Sequence, residues 1–560
     1  MAAILAAAGT GAENANAGSL AYGSNIYQSI GVRPIVNCKG TFTIISGSLS
    51  LPEVKRAMEE AGRHYVQMDE LMDGVGKRLA ELTGAPWGIV TAGCAAAMTH
   101  ITAASLVGTD IERMQQLPAL HDLKSEVVIP RYSRNVYDHA IRMLGVKIVE
   151  VNDPGELQAA FNERTALAYI LAGPGDDGPL GTQAVVAVAK QHGVPVIVDA
   201  AAEDLTIPNI HLQRGATVVM YSGGKCMRGP QCAGLALGDK NLLEAAWANS
   251  APHHAFGRSL KVGKEEIMGM LAAVEMWTRR DHKAEQAQWQ SWVDGISARV
   301  TKVNGVTTRI QKPDSLSNNA PTLVIEWDAA QVGISAPDLH KLMLDSEPRI
   351  MLEGGHGRSV AVMPYMMMPG DDKIVGERLY ALLSKPPKIE KPAEPTGAPV
   401  KVAGRWDVVV EYKRGTAHHT LNFEQADAAL TGTHQGEIVS GPLQGNVAGD
   451  QVHARASHRI EGTELNFAFN GTVTGEVQLG AFDAMRGAGV DLIAGHVALQ
   501  RPGNNFALMR AGKGGVGLFE IQRVAGGAAL VLDDNIPTSR DFRRGAGRLG
   551  GLLDFRRLRE

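Results

Sequence analysis

Residues 194–230, VPVIVDAAAEDLTIPNIHLQRGATVVMYSGGKCMRGP, constrain the fold more than any other part of the chain. An apolar run over 194–198 ends on Asp199, and a second over 217–221 ends on Ser222-Gly223-Gly224-Lys225. Both runs are short, rich in β-branched residues and bounded by polar or glycine positions, which is the pattern of a buried strand. In an open α/β sheet, ligands gather beyond the carboxyl ends of strands. Asp199 and Lys225 are therefore predicted to lie at one such edge.

A carboxylate and an amine held there are what pyridoxal 5'-phosphate (PLP) chemistry uses. The amine forms a Schiff base, and the carboxylate pairs with the pyridinium nitrogen. Each half also has a plainer reading: Gly-Gly-Lys is common in turns, and an aspartate after a strand often caps a helix. Their order, after two strands, favours the cofactor. The segments Asp199-Ala200-Ala201-Ala202-Glu203 and Ser222-Gly223-Gly224-Lys225-x-x-Arg228-Gly229-Pro230-Gln231 resemble the L-seryl-tRNA(Sec) selenium transferase family. The likeness is nearer to its tRNA-independent branch, typified by D-glucosaminate-6-phosphate ammonia lyase, and covers about residues 27–385. It implies an α/β PLP-dependent transferase fold of the aspartate-aminotransferase type, with large and small lobes, working as a homodimer or higher homo-oligomer. It also implies cofactor contacts at Ala201 and Ser222.

The rest of the chain is read around that centre. The 560 residues suffice for two or three domains. Helices are predicted over 52–62, with Pro52 in the first turn, over 65–83, and over 264–281. A strand over 88–91 runs into Ala92-Gly93-Cys94-Ala95-Ala96-Ala97, small residues opening a helix whose N–H groups could face an anion. Close packing alone would select the same residues. By resemblance, Gly93, Cys94 and Ala95 form the phosphate cup. Strands over 126–130, 146–151 and 167–171 follow, giving the alternation of a mostly parallel sheet covered on both faces. Between the first two, Tyr137-Asp138-His139 supplies by resemblance a ring partner for the cofactor, His139 first and Tyr137 second. The alternative is a helix start capped by Asp138, with His139 merely exposed.

Substrate-binding candidates are Arg228, Arg258, Lys261 and Arg358. Arg258 and Lys261 match the place where the family sets basic residues, often across the dimer; the tRNA-dependent members have two arginines there, so Lys261 departs from them. A charge cluster at a helix start is otherwise a solvated face. In this fold the small lobe supplies an arginine that forks onto a substrate carboxylate, and Arg358 and Arg349 both qualify. The Met366-Met367-Met368 run reads as packing, and no metal site is expected.

The expected organisation is a flexible tail (1–26), a large PLP-binding domain (27–300), a small lobe (301–385), a Pro-rich linker (386–400), an antiparallel β barrel or sandwich (401–525) and a partly disordered Arg/Gly-rich tail (526–560). In the β module a Gly-x-x-x-Gly unit recurs at Gly432, Gly445 and Gly471, read as strand, tight turn, strand. Its histidines 418, 419, 434, 453 and 458 lack ligand-like spacing and read as polar strand faces. The linker implies that few contacts cross to the module.

A formal charge of −4 leaves no footprint for nucleic acid, and the resemblance starts too early for the N-terminal tRNA domain of the tRNA-dependent members. No apolar run is long enough for a membrane helix. Four cysteines form neither a CxxC pair nor a disulfide framework. Ala15-Asn16-Ala17 looks like a cleavage site, but no Lys or Arg precedes Arg33, so the expected location is cytoplasmic, with export of a truncated signal as the alternative. The resemblance points to a PLP-dependent lyase that deprotonates Cα and eliminates ammonia from a hydroxylated amino acid or amino-sugar acid, and the basic residues Arg228, Arg258 and Lys261 would suit an acidic or phosphorylated one. A racemase or aldolase on the same scaffold stays open, as does a non-catalytic protein acting through its β module.

Overall fold

The computed structural model describes residues 23–24, 26–354, 357–389, 397–412 and 415–473, together with four short strands beyond them. The side chains at 410–412 and 415, and those of the four strands, fall outside the description. Most of the expected N-terminal tail, the centre of the linker, the third repeat's Gly475 and the Arg/Gly-rich end also lie outside the described residues.

Twelve strands build the first two sheets: β1 Ile35–Cys38, β2 Trp87–Thr91, β3 Glu126–Pro130, β4 Lys147–Val151, β5 Thr165–Leu171, β6 Val196–Asp199, β7 Val218–Ser222, β8 Gly234–Gly238, β9 Val306–Gln311, β10 Thr322–Trp327, β11 Arg349–Gly354 and β12 Ser359–Val362. The large sheet has seven strands in the order β2-β8-β7-β6-β5-β3-β4. Neighbours from β7 to β4 are parallel, and β8 runs antiparallel to both β2 and β7. Strands β2, β3, β6 and β8 are buried at every position, as expected of a sheet covered on both faces. Helices α1 Pro52–Gly62 and α2 Met68–Thr83 fall where predicted, and α3 Gly93–Val107 follows β2 directly.

The small sheet has the order β1-β11-β12-β10-β9. Strand β1, from the stretch expected to open the large domain, pairs in parallel with β11, Ile35 opposite Arg349. Cys38 accordingly packs in the small-lobe core with Leu323, Leu352 and Val375. Helix His282–Val300 reaches the same core through Val293, Ile296 and Val300.

The C-terminal module is one curled antiparallel sheet, a half-barrel. Its strands are β13 Gly404–Tyr412, β14 Gly415–Ala426, β15 Ala429–Gln435, β16 Ser440–Ala448, β17 Gln451–Ile460 and β18 Thr463–Thr472, with β21 Val497–Gln500 and β22 Ala507–Met509 added beyond β13; β19 Arg486–Gly487 and β20 Val490–Asp491 pair separately. The first glycine of each repeat is not in a turn. Gly432 and Gly445 sit inside strands, where an added Cβ would lie 1.8 Å from the Asn422 carbonyl oxygen and 2.0 Å from that of His453. Only the second glycines, Gly436 and Gly449, fall between strands. His419, His434 and His458 are not on a polar face either. They are buried in a stacked row with N–N contacts of 2.9 and 2.6 Å, packed on Phe467. Among the described residues no cluster of His, Cys, Asp and Glu could hold a metal ion.

Candidate active site

Strands β6 and β7 are adjacent and parallel, so their carboxyl ends lie side by side, and Asp199 pairs with Met220 in the ladder. Asp199 is 3% exposed. Its carboxylate accepts from three neutral donors: the Tyr169 hydroxyl on Oδ2 at 2.9 Å, and on Oδ1 the Ala201 N–H at 3.0 Å and the Cys94 thiol at 3.4 Å. Burial, then the Asp199 charge, raises the pKa values of both Cys94 and Tyr169 far above their ordinary range, so both stay protonated as donors. A buried carboxylate surrounded only by neutral donors calls for a cationic partner.

Lys225 stands in the loop after β7. The loop is fixed by Gly223 N–H to Ala233 O at 2.8 Å, Gly229 N–H to Gly223 O at 2.8 Å, and Arg228 N–H to Lys225 O at 2.9 Å. From outside, Ser48 N–H donates to Gly224 O and the Arg280 guanidinium to Cys226 O. Lys225 is half-buried, and its amine makes no hydrogen bond or ion pair among the described residues. The Cys94 thiol lies within the electrostatic reach of both Asp199 and Lys225. Ser222 joins them through its N–H to Ala201 O at 3.3 Å.

The start of α3 meets the same edge. Gly93 has φ +84°, which favours glycine, and no side chain caps the helix, so its first-turn N–H groups are open. Strand β8 presses close at Gly234: a Cβ there would lie 2.4 Å from the Gly93 carbonyl carbon and 2.7 Å from the Cys94 nitrogen. Cys94 is buried, Gly93 half-buried and Ala95 exposed. These features fit PLP: an acceptor for the ring nitrogen, a free amine and an anion cradle.

The other expected residues do not all converge. His139 and Tyr137 are exposed, and the His139 ring makes no hydrogen bond or ring contact among the described residues. Arg228, at φ +55°, is half-buried and donates to Leu49 O at 3.0 Å. Burial, then Arg280, lowers its pKa. A cleft of about 280 Å³ is lined by Cys226 and Arg228 from the lysine loop, and by Trp277, Arg280, Trp289 and Tyr365. Arg258, Lys261 and Arg358 are exposed, the last in the connection between β11 and β12, and Arg349 is held by its own lobe at Leu344 O. Sequence reasoning missed Tyr169, Asn135 and Gly234. Tyr169 sits inside a strand that reads simply as hydrophobic.

No protein-family profile matches the chain. A 5'-C-glycyluridine monooxygenase-decarboxylase from Streptomyces sp is 32% identical over 376 residues, which span 64% of this chain and 92% of the relative. D-glucosaminate-6-phosphate ammonia lyase from Salmonella typhimurium is 29% identical over 359 residues, 59% of this chain and 94% of the relative. The chain belongs to the selenium-transferase-like family of PLP enzymes. L-seryl-tRNA(Sec) selenium transferase from Proteus mirabilis is 25% identical over 280 residues, covering 44% of this chain and 57% of that protein. A solved D-glucosaminate-6-phosphate ammonia-lyase structure superposes with a TM-score of 0.58 at 27% identity, over 64% of this chain and 98% of its own. The fold is therefore the aspartate-aminotransferase type, with the half-barrel appended. No helix among the described residues is long and apolar enough to cross a membrane.

Proposed function

We propose that the chain is a PLP-dependent ammonia lyase acting on a hydroxylated amino acid or amino-sugar acid. The observation that carries this reading is the buried Asp199 carboxylate, saturated by neutral donors, beside the unpaired Lys225. PLP, when bound, withdraws electrons from the substrate Cα. Asp199 would hold the ring nitrogen's proton, with Tyr169, Cys94 and Ala201 fixing the carboxylate's direction. Lys225 would hold the cofactor covalently and, once the substrate amine replaces it, take the proton from Cα. The N–H groups of Gly93, Cys94 and Ala95 would hold the phosphate, with Ser222 beside them and His139 over the ring. Loss of the Cα proton and of hydroxide from Cβ leaves an unsaturated amine. Its hydrolysis gives ammonia and a 2-keto product, and the water consumed balances the water lost.

Arg228 would bind an acidic or phosphorylated substrate from the cleft beside the lysine loop. Arg258, Lys261 and Arg358 would complete the site in a homodimer. Single-chain geometry supports the dimer: Tyr27, Ile30, Phe42, Ile44, Leu49 and Tyr65 are between 49% and 103% exposed, an apolar concentration near the chain start that a second copy would cover.

The Streptomyces relative favours a second reading, oxygen-dependent loss of a carboxyl group on the same scaffold. A screen of hydroxylated amino acids and amino-sugar acids separates the two. Ammonia and 2-keto product without oxygen uptake support the lyase; oxygen consumption with carbon dioxide release supports the other.

A further inference from the structure

The turn between β17 and β18 leaves the half-barrel and seats on the large lobe, at the loop that leads to the cofactor site. Glu461 accepts from the Arg134 guanidinium at 2.6 Å. The Arg134 side chain is 6% exposed and also bonds Asp138, which is fully buried, at 2.6 Å and Glu150 at 3.2 Å. Burial opposes the Arg134 charge, but Asp138 and Glu461 outweigh it and raise its pKa. Next in the turn, Gly462 lies so close to Asn135 that an added Cβ would stand 2.4–2.5 Å from the Asn135 backbone oxygen and nitrogen. Glu461 has φ +50°, a left-handed conformation unfavourable for glutamate. A strained residue whose half-exposed carboxylate pairs with a buried arginine of another domain is a built contact.

From Asn135 a continuous path reaches the active site. The Asn135 amide donates to the Tyr169 hydroxyl at 3.1 Å, and Tyr169 donates to Asp199 at 2.9 Å. The same amide donates to Ser133 O, while Ser133 Oγ accepts from Leu171 N–H at the end of β5. The hydroxyl of Tyr169 thus has its proton committed to Asp199 because Asn135 occupies its acceptor side.

We propose that the β17–β18 turn is a positioning element of the cofactor site, acting through Asn135 and Tyr169 on the Asp199 carboxylate. Glu461, Gly462 and Asn135 are positioning residues, not catalytic ones. The half-barrel then belongs functionally to the site, although all of its residues lie beyond the Pro-rich linker. The proposal rests on the PLP reading given above.

The test is made on the full chain in its resting state, by PLP titration of cofactor-free protein and by the absorption spectrum of the loaded form. Glu461→Gln, which keeps the turn and removes the charge, and Gly462→Leu, which pushes on Asn135, should each weaken PLP binding about tenfold and shift the absorption maximum. Glu424→Ala, on an exposed part of the same sheet, should change neither. In a Tyr169→Phe background, Glu461→Gln should add less than about a twofold further loss, because the path is already cut. Wild-type affinity and spectrum in Glu461→Gln, or full additivity with Tyr169→Phe, would overturn the positioning role. A wild-type chain that binds no PLP would overturn both this role and the PLP reading, so the two failures are distinguishable.

Discussion

The Tyr169 hydroxyl donates to the Asp199 carboxylate at 2.9 Å from the neighbouring parallel strand, with both side chains buried. The pair joins the end of β5 to the end of β6, and it sets which way the carboxylate faces. Replacing Tyr169 by Phe removes one of three donors to Asp199 and leaves the Asn135 amide with Ser133 O but no hydroxyl acceptor. Buried polar groups left unpaired cost about 1–3 kcal/mol. The expected outcome is a folded protein destabilised by about that amount, with a lower melting temperature and weakened PLP binding. Unchanged stability and affinity would show that the hydroxyl is idle.

Asp199→Asn should keep the fold, since an amide oxygen in the Oδ1 place still accepts from Ala201 and Cys94 and the amide NH2 can donate to the Tyr169 hydroxyl. It should lose activity by about a hundredfold or more, because a neutral group no longer stabilises positive charge on the ring nitrogen. Turnover within a factor of a few of wild type, with PLP bound, would assign Asp199 another role.

Borohydride reduction of the loaded protein followed by peptide mapping should place the cofactor adduct on Lys225. Lys225→Ala should show no adduct and no turnover. An adduct on any other lysine, or none with PLP bound, would remove Lys225 from the centre of the mechanism.

Acid should loosen the half-barrel. His434 is fully buried, and burial, then His419 and His458, lowers its pKa to about 4 from an ordinary 6.5. The unfolded chain therefore takes up this proton first. The stability of the neutral row is fully present above about pH 6.5 and is lost as the pH falls toward 4, up to about 3 kcal/mol for this residue. Hydrogen exchange of peptides over 430–460, corrected for intrinsic rates, should show falling protection between pH 7 and pH 5. His434→Leu should flatten that dependence, and protection that is level in the wild type would refute it.

How much of this was legible in the sequence depends on how local each feature is. Asp199 and Lys225 were legible because each ends a short apolar run, and a strand's end is a local signal. The turn of Gly93 and the start of α3 were legible for the same reason. Strand β1 was not, because its partner lies more than 300 residues away and parallel pairing leaves no mark on either segment. Tyr169 and Asn135 were hidden in a buried strand and a loop, with roles set by neighbours distant in sequence. The Gly432 and Gly445 repeats signalled a glycine requirement correctly but not its cause, which is a neighbouring strand's backbone rather than a turn. The linker's composition said that the module is separable and was silent on where its Glu461 turn would land.

Arg258 and Lys261 test the oligomeric reading. Both are exposed on the single chain, and the proposed shared site would need them beside the partner's anion. The apolar residues left open between Tyr27 and Tyr65 are what a second copy would cover. If the site is shared, Lys225→Ala inactivates the cofactor half and Arg258→Ala the anion half of each dimer. Mixing the two inactive variants, with unfolding and reassembly to exchange subunits, should produce heterodimers in which one of two sites is intact. Recovered activity should approach a quarter of wild type for random exchange, since half the dimers are mixed and each carries one complete site. Verified mixed dimers with no recovery would place Arg258 outside the partner's site. A protein that sediments as a monomer at working concentration would remove the shared site altogether.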